Sequence, residues 1–172
     1  MSNFTNNLIS MLEKAKHSKL QLFILNIVLS YGIPFNRPHG IKVKQITDNS
    51  VKTLIKSKRI NQNHIRGIHA CALATISEFA SGLMLLSRLN PAEYRIIMKT
   101  IKVDYHYQAK QTVTSTSKLS NLEVLELKQK LENSPSAEVH MLAESHDSEN
   151  NHICSAFITW QIKKWSAVVT KL

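Results

Sequence analysis

Apolar and polar positions along the chain divide it into helical and strand-like stretches. Residues 4–31 read as one or two helices, with Thr5 or Asn6 placed to cap the first. They end at "GIPFNRPHG", where Pro34, Pro38 and Gly40 break the pattern. "IKVKQIT" then alternates apolar and basic residues, as a half-buried strand does. "DNS" reads as a turn and "VKTLIKSKR" as a second strand, so residues 41–59 form a hairpin, followed by the loop "INQNHIRG". Between 68 and 86, Ile68, Leu73, Ile76, Phe79, Ala80, Leu83 and Met84 recur at helical spacing. "RLNPAEY" ends that helix. The period then becomes strand-like through "RIIMKTIKVDYHYQ", "TVTSTSKLS", "SAEVHMLAES" and "HICSAFITWQIKKW". The segment "NLEVLELKQKLENSPS" fits two readings: a strand running into a polar connection, or a short helix.

The order is helix, two strands, one long apolar helix, then three or four strands. It predicts an α+β fold. A single antiparallel sheet needs one face covered, and the helix from Ile68 to Leu86 is the available cover. Residues 1–31 read as a helical extension and 32–172 as the main domain. There are no internal repeats.

Composition narrows the partners. The chain has 172 residues, enough for one domain with its own core. Two cysteines, Cys71 and Cys154, cannot build a disulfide framework, which points to a reducing compartment and a cytoplasmic location. The net charge is +10. Residues 1–118 hold 17 Lys and Arg against 5 Asp and Glu, so the basic charge is concentrated there. Such a surface suits an anion: nucleic acid, anionic lipid or a phosphorylated ligand. No zinc finger, RNA-binding aromatic motif or long Arg tract favours a specific nucleic acid. The most apolar run, "LQLFILNIVL", follows Lys14, Lys16 and Lys19 in the manner of a signal peptide, but no small-residue cleavage site comes after it. It spans about half the roughly 20 residues of a membrane helix and reads as a buried or interface helix.

The candidate chemistry sits in "NHIRGIHACALATISE", where a polar cluster leads into the apolar helix and Glu78 interrupts it. A carboxylate beside Ile76, Phe79 and Leu83 has to be paired, shifted in pKa or functional. Taken as residues alone, His69 suits a packing or capping role and Asn63 a turn. Cys71 suits an inert buried thiol. His64, His69 and Cys71 match no strong zinc spacing, and no metal is expected.

The stretch resembles the motif Asn-x5-His-Gly-Gly-x7-Asp/Glu of hotdog-fold thioesterases of the phenylacetate-pathway and hydroxybenzoyl-CoA type. Asn63 and His69 match the Asn and His, Ala70 and Cys71 stand at the two glycine positions, and Glu78 matches the acid. "GIPFNRPHGIKVKQITDNSVKTLIK" is similar to the first hairpin of a hotdog branch of unassigned function. "IKVDYHYQAKQTVTSTSKL" is similar to the strand pair after the helix, with Gln108 and Gln111 in place of the family's Pro and Gly. The resemblance covers roughly residues 32–165. It implies a hotdog fold and hydrolysis of an acyl-CoA thioester, with coenzyme A as part of the substrate and no cofactor. In that reading Glu78 is base or nucleophile, and Asn63 and His69 orient the carbonyl or water. Ala70 and Cys71 amides form the oxyanion hole, and Gly82 contacts substrate. Lys58, Arg59, Arg66 and Lys110 are the candidates for coenzyme A phosphates.

Helix geometry adds a constraint. Ala70 and Glu78 are eight residues apart, about 12 Å along one helix axis. One thioester group cannot touch both, so shared action requires Glu78 from a second copy lying antiparallel. A homodimer is expected, with a tetramer as the larger alternative. The competing expectation is a hotdog module that binds acyl-CoA or an acyl chain without turnover, which the loss of Gly-Gly favours. A third uses the basic half to bind nucleic acid or a membrane surface.

Overall fold

Six antiparallel strands form one sheet around a helix. The structure, a computed structural model, describes residues 2–168. The chain opens with α1 (Ser2–His17) and α2 (Lys19–Gly32). The first 32 residues thus hold two helices, and α1 begins upstream of Thr5 and Asn6, which lie inside it. The boundary is Ser18, whose hydroxyl accepts from the Gln21 amide and caps α2. A short α3 (Asn36–His39) fills the Pro-rich break and stops at Gly40, whose φ of 65° suits glycine.

The hairpin follows as β1 (Lys42–Ile46) and β2 (Ser50–Ile55). The second strand is shorter than the sequence suggests, because Arg59–Asn61 coil into a 3-10 turn. Next come α4 (Ala70–Leu86), β3 (Tyr94–Tyr105), β4 (Val113–Lys118), α5 (Asn121–Asn133), β5 (Ser136–Asp147) and β6 (His152–Lys164). The strand order is β1-β2-β4-β5-β6-β3, which leaves β1 and β3 at the edges. The second half thus contributes four strands.

The central helix α4 packs against β2, β3, β4, β5 and β6 and buries eleven of its seventeen residues. Ile76, Met84 and Leu85 on it are fully buried, as are Ile153, Ile158 and Ile162 on β6. Small residues let sheet and helix approach. Ser77 Oγ donates to the Leu73 carbonyl at 3.0 Å and meets Ser145 and Ser115, so these buried hydroxyls are satisfied inside the core. Leu12 and Ala15 of α1 and Leu25 and Leu29 of α2 belong to the same apolar cluster as α4.

The segment after β4 is a helix, not a continued strand. Val124, Leu127 and Leu131 form its buried stripe. Ser120 caps it: the hydroxyl accepts from the Glu123 amide at 3.3 Å, and the Glu123 carboxylate returns to the Ser120 amide at 2.7 Å. The Ser120 hydroxyl, which donates to the Glu123 carboxylate at 2.6 Å, and the Ser120 amide hold that carboxyl below its usual range. Ser120→Ala is expected to cost about 1 kcal/mol in urea unfolding. The loss should fall mainly on α5.

Candidate active site

Position 78 lies midway along α4, on the stripe Cys71, Thr75, Glu78 and Gly82. Thr75, Glu78 and Gly82 line a cavity of about 710 Å³. Its other walls come from Val28, Leu29 and Ile33 at the end of α2, from Tyr94–Ile97 of the edge strand β3, and from Trp160 and Trp165. The lining is overwhelmingly apolar. Among the described residues the Glu78 carboxylate has no hydrogen-bond or ion-pair partner, and desolvation alone raises its pKa above 4.5. Arg95 lines the same cavity.

Gly82 gives the cavity its shape. A Cβ built there would lie 3.0 Å from the Trp160 ring and 3.7 Å from the Glu78 carboxylate. Trp160 is fixed in turn by its indole N–H, which donates to Ser81 Oγ at 3.0 Å.

A second cavity of about 250 Å³ adjoins the first at Phe35 and Thr75. It lies against the first turn of α4 and is lined by His39, Asn61, Gln62, His69 and Cys71, among others. His69 is the N-cap of α4, and its Nδ1 accepts from the Cys71 amide at 3.1 Å. The neutral ring therefore carries its proton on Nε2. The Cys71 amide is thus already engaged. The Ala70 amide has no acceptor among the described residues, while its carbonyl accepts from the Tyr105 hydroxyl at 2.9 Å. The Cys71 thiol is exposed, unlike the buried thiol expected from sequence; the buried one is Cys154.

Asn63 is placed differently from what its motif match implies. Its Oδ1 accepts from the amides of Ile65 and Gly67, at 3.1 and 3.0 Å, folding the 63–67 loop back on itself around Arg66 at φ 62°. It does not line either cavity. The asparagine beside His69 is Asn61, which is buried. Its Nδ2 donates to the carbonyls of His39 and Lys56, its Oδ1 meets His39 Nδ1 at 2.9 Å, and its carbonyl accepts from the His69 amide at 2.7 Å. Asn61, Thr75 and Trp160, which line the cavities, and Tyr105, bonded to the start of α4, were not revealed by the motif.

The four candidate phosphate contacts are exposed and form no ion pairs among the described residues. Lys58 and Arg59 stand at the 3-10 turn beside the smaller cavity. Arg66 and Lys110 lie on two loops joined by the Ile68 amide, which donates to the Ala109 carbonyl at 2.7 Å. Among the described residues no three His, Cys, Asp or Glu side chains gather as a metal-ligand set.

A family model described as a domain of unknown function, DUF4442, matches residues 23–162. The chain belongs to the DUF4442 family. No curated protein matches it. Among solved structures it is similar to PA5026 of Pseudomonas aeruginosa, a protein of unknown function described as a probable thioesterase. Identity is 19% and the TM-score 0.76, over 81% of this chain and 93% of that one. It is similar to thioesterase HI1161 of Haemophilus influenzae at 13% identity and a TM-score of 0.66, over 83% and 90% of the two chains. A third is thioesterase PA1618 of Pseudomonas aeruginosa, at 11% identity and a TM-score of 0.67, over 87% and 99%. The DUF4442 chain therefore has the hotdog fold.

Proposed function

We propose that this DUF4442 protein hydrolyses an acyl thioester, such as an acyl-CoA, with Glu78 as general base. The observation that carries the proposal is the unpaired carboxylate desolvated in an apolar cavity. A half-buried Glu with a raised pKa is poised to take a proton. The acyl chain occupies the 710 Å³ cavity. Glu78 takes a proton from water as the water oxygen adds to the thioester carbonyl carbon. The C–S bond then breaks, and the thiolate leaves as a thiol with that proton. The products are a carboxylic acid and the free thiol.

The developing oxyanion needs donors. The Ala70 amide at the positive end of α4 and the His69 Nε2–H are suited to supply them. Both lie too far along α4 to meet Glu78 of the same copy at one carbonyl. The proposal therefore uses a second copy, antiparallel to the first. Strand β3 is a twelve-residue sheet edge, and its residues Tyr94–Ile97 line the cavity. A copy added at that edge would lie beside Glu78. Exposed Lys58, Arg59, Arg66 and Lys110 are the proposed contacts for coenzyme A phosphates.

The experiment is thiol release from a panel of acyl-CoAs of graded chain length. Release that rises with chain length until the cavity is filled supports the proposal. A specific observation favours a second reading: the Cys71 amide is bonded to His69, which leaves one fewer oxyanion donor. Under that reading the protein binds acyl-CoA without turnover. Saturable binding with no thiol release across the panel would select it.

A further inference from the structure

The outer face of α2 plays no part in the proposed chemistry, yet it carries five exposed large apolar side chains. Leu20, Phe23, Ile24, Ile27 and Tyr31 follow one another at helical spacing. They are 65%, 62%, 37%, 44% and 64% exposed. These five side chains form one stripe along the helix. The opposite face is committed: Leu25 and Leu29 are in the core, and Val28 and Gly32 line the large cavity. Phe35, also exposed, follows α2 and lines both cavities.

Charge decides what fits this stripe. From Lys14 to Thr47 the sequence holds six Lys and Arg and no Asp or Glu. Lys16 is held by Glu13 and Asp48. Lys14, Lys19 and Arg37 are exposed and form no ion pair among the described residues, and the Arg37 guanidinium lies 4.4 Å from the centre of the Tyr31 ring, at the end of the stripe. A second copy on this face would bring like charges together. A surface that is apolar within and anionic at its boundary meets both demands.

We propose that α2 docks the protein on an anionic lipid surface. The stripe enters the boundary between headgroups and acyl chains, and the flanking cations meet lipid phosphates. No helix among the described residues is long and apolar enough to cross a membrane, so α2 lies in the surface plane. In that pose the large cavity sits directly behind the docked helix, next to the source of acyl chains. The proposal does not depend on hydrolysis and holds for either reading of the site.

The test is cosedimentation of the full chain with vesicles of phosphatidylcholine alone or of phosphatidylcholine with phosphatidylglycerol. Binding to the anionic vesicles only, lost at high salt, is expected. The double variant Phe23→Asp/Ile27→Asp should abolish it, and Lys14→Ala/Lys19→Ala should weaken it roughly thirtyfold. Absence of binding to anionic vesicles at low salt by the unaltered chain overturns the proposal, whatever the variants do. So does a lipid-free dimer that Phe23→Asp/Ile27→Asp dissociates, because a second copy then covers the stripe.

Discussion

Glu78→Gln is expected to lower kcat for thiol release by roughly 10²–10⁴-fold, the range of a positioned general base, while making the protein more stable at neutral pH. The two effects share one cause. Burial holds the Glu78 carboxyl above its ordinary value of 4.5, so the folded state binds that proton more tightly than the unfolded chain does. Well below pH 4.5 the group is protonated in both states and contributes nothing. As pH rises through the folded pKa, the buried charge progressively destabilises the fold. A neutral amide at this position carries no such charge. The melting temperature of Glu78→Gln should therefore match that of the unaltered chain in acid and exceed it at pH 7. The acid limb of the kcat/KM profile should fall above pH 4.5, because only the ionised carboxylate accepts a proton from water. Full activity in Glu78→Gln would remove Glu78 from the mechanism. A stability gain without any activity to lose would leave the binding reading standing.

A desolvated carboxylate with no local partner is costly. Its presence on the helix that organises the whole core therefore argues for use. The surrounding architecture keeps it there. The end of α2, the start of β3 and Trp160 close an apolar cavity over it, and Gly82, one turn further along α4, leaves space beside it.

The sequence disclosed α4 and Glu78 because both signals are local. Helical recurrence from Ile68 to Met84 exceeds the length of any ordinary strand, and an acid within it stands out. The sheet was legible in the same way, through period-two alternation. The ambiguity at 121–133 arose because Val124 and Leu127 fit both a helix face and an irregular strand. The "SNLE" stretch, Ser120 to Glu123, held the deciding signal, since a hydroxyl and a carboxylate three residues apart cap a helix start. The site was less legible where loops determine it. Asn63 matches the motif by spacing, but the backbone at Arg66 reverses the loop and turns the Asn63 side chain onto the amides of Ile65 and Gly67. That leaves Asn61, two residues earlier, behind His69. Tyr105 and Trp160 reach α4 from strands 35 and 79 residues away from their partners, Ala70 and Ser81, which no local pattern encodes. The contribution of α2 to the cavity wall is of the same kind.

Gly82→Val is expected to destabilise the fold by about 1–3 kcal/mol, through overpacking rather than loss of contact. Glycine inside a helix ordinarily costs roughly 1 kcal/mol against alanine, so position 82 works against α4 unless space requires it. Space does require it. The added Cβ would stand 3.0 Å from one Trp160 ring carbon and 3.2 Å from another, and Trp160 is only 5% exposed. The ring cannot retreat without giving up its hydrogen bond to Ser81 or pushing into β5, whose Val139 is paired with it. Valine places further methyl groups beyond that Cβ, and its helix propensity recovers only part of what glycine forfeits. Urea unfolding should show the lower midpoint, and near-ultraviolet circular dichroism should show a changed Trp160 environment. The same methyls intrude on the cavity beside Glu78. In the surviving folded protein, long acyl-CoAs should lose more kcat/KM than short ones, since the volume removed lies where the chain would run. An unchanged chain-length profile with a normal unfolding midpoint would mean that the acyl chain does not pass Gly82.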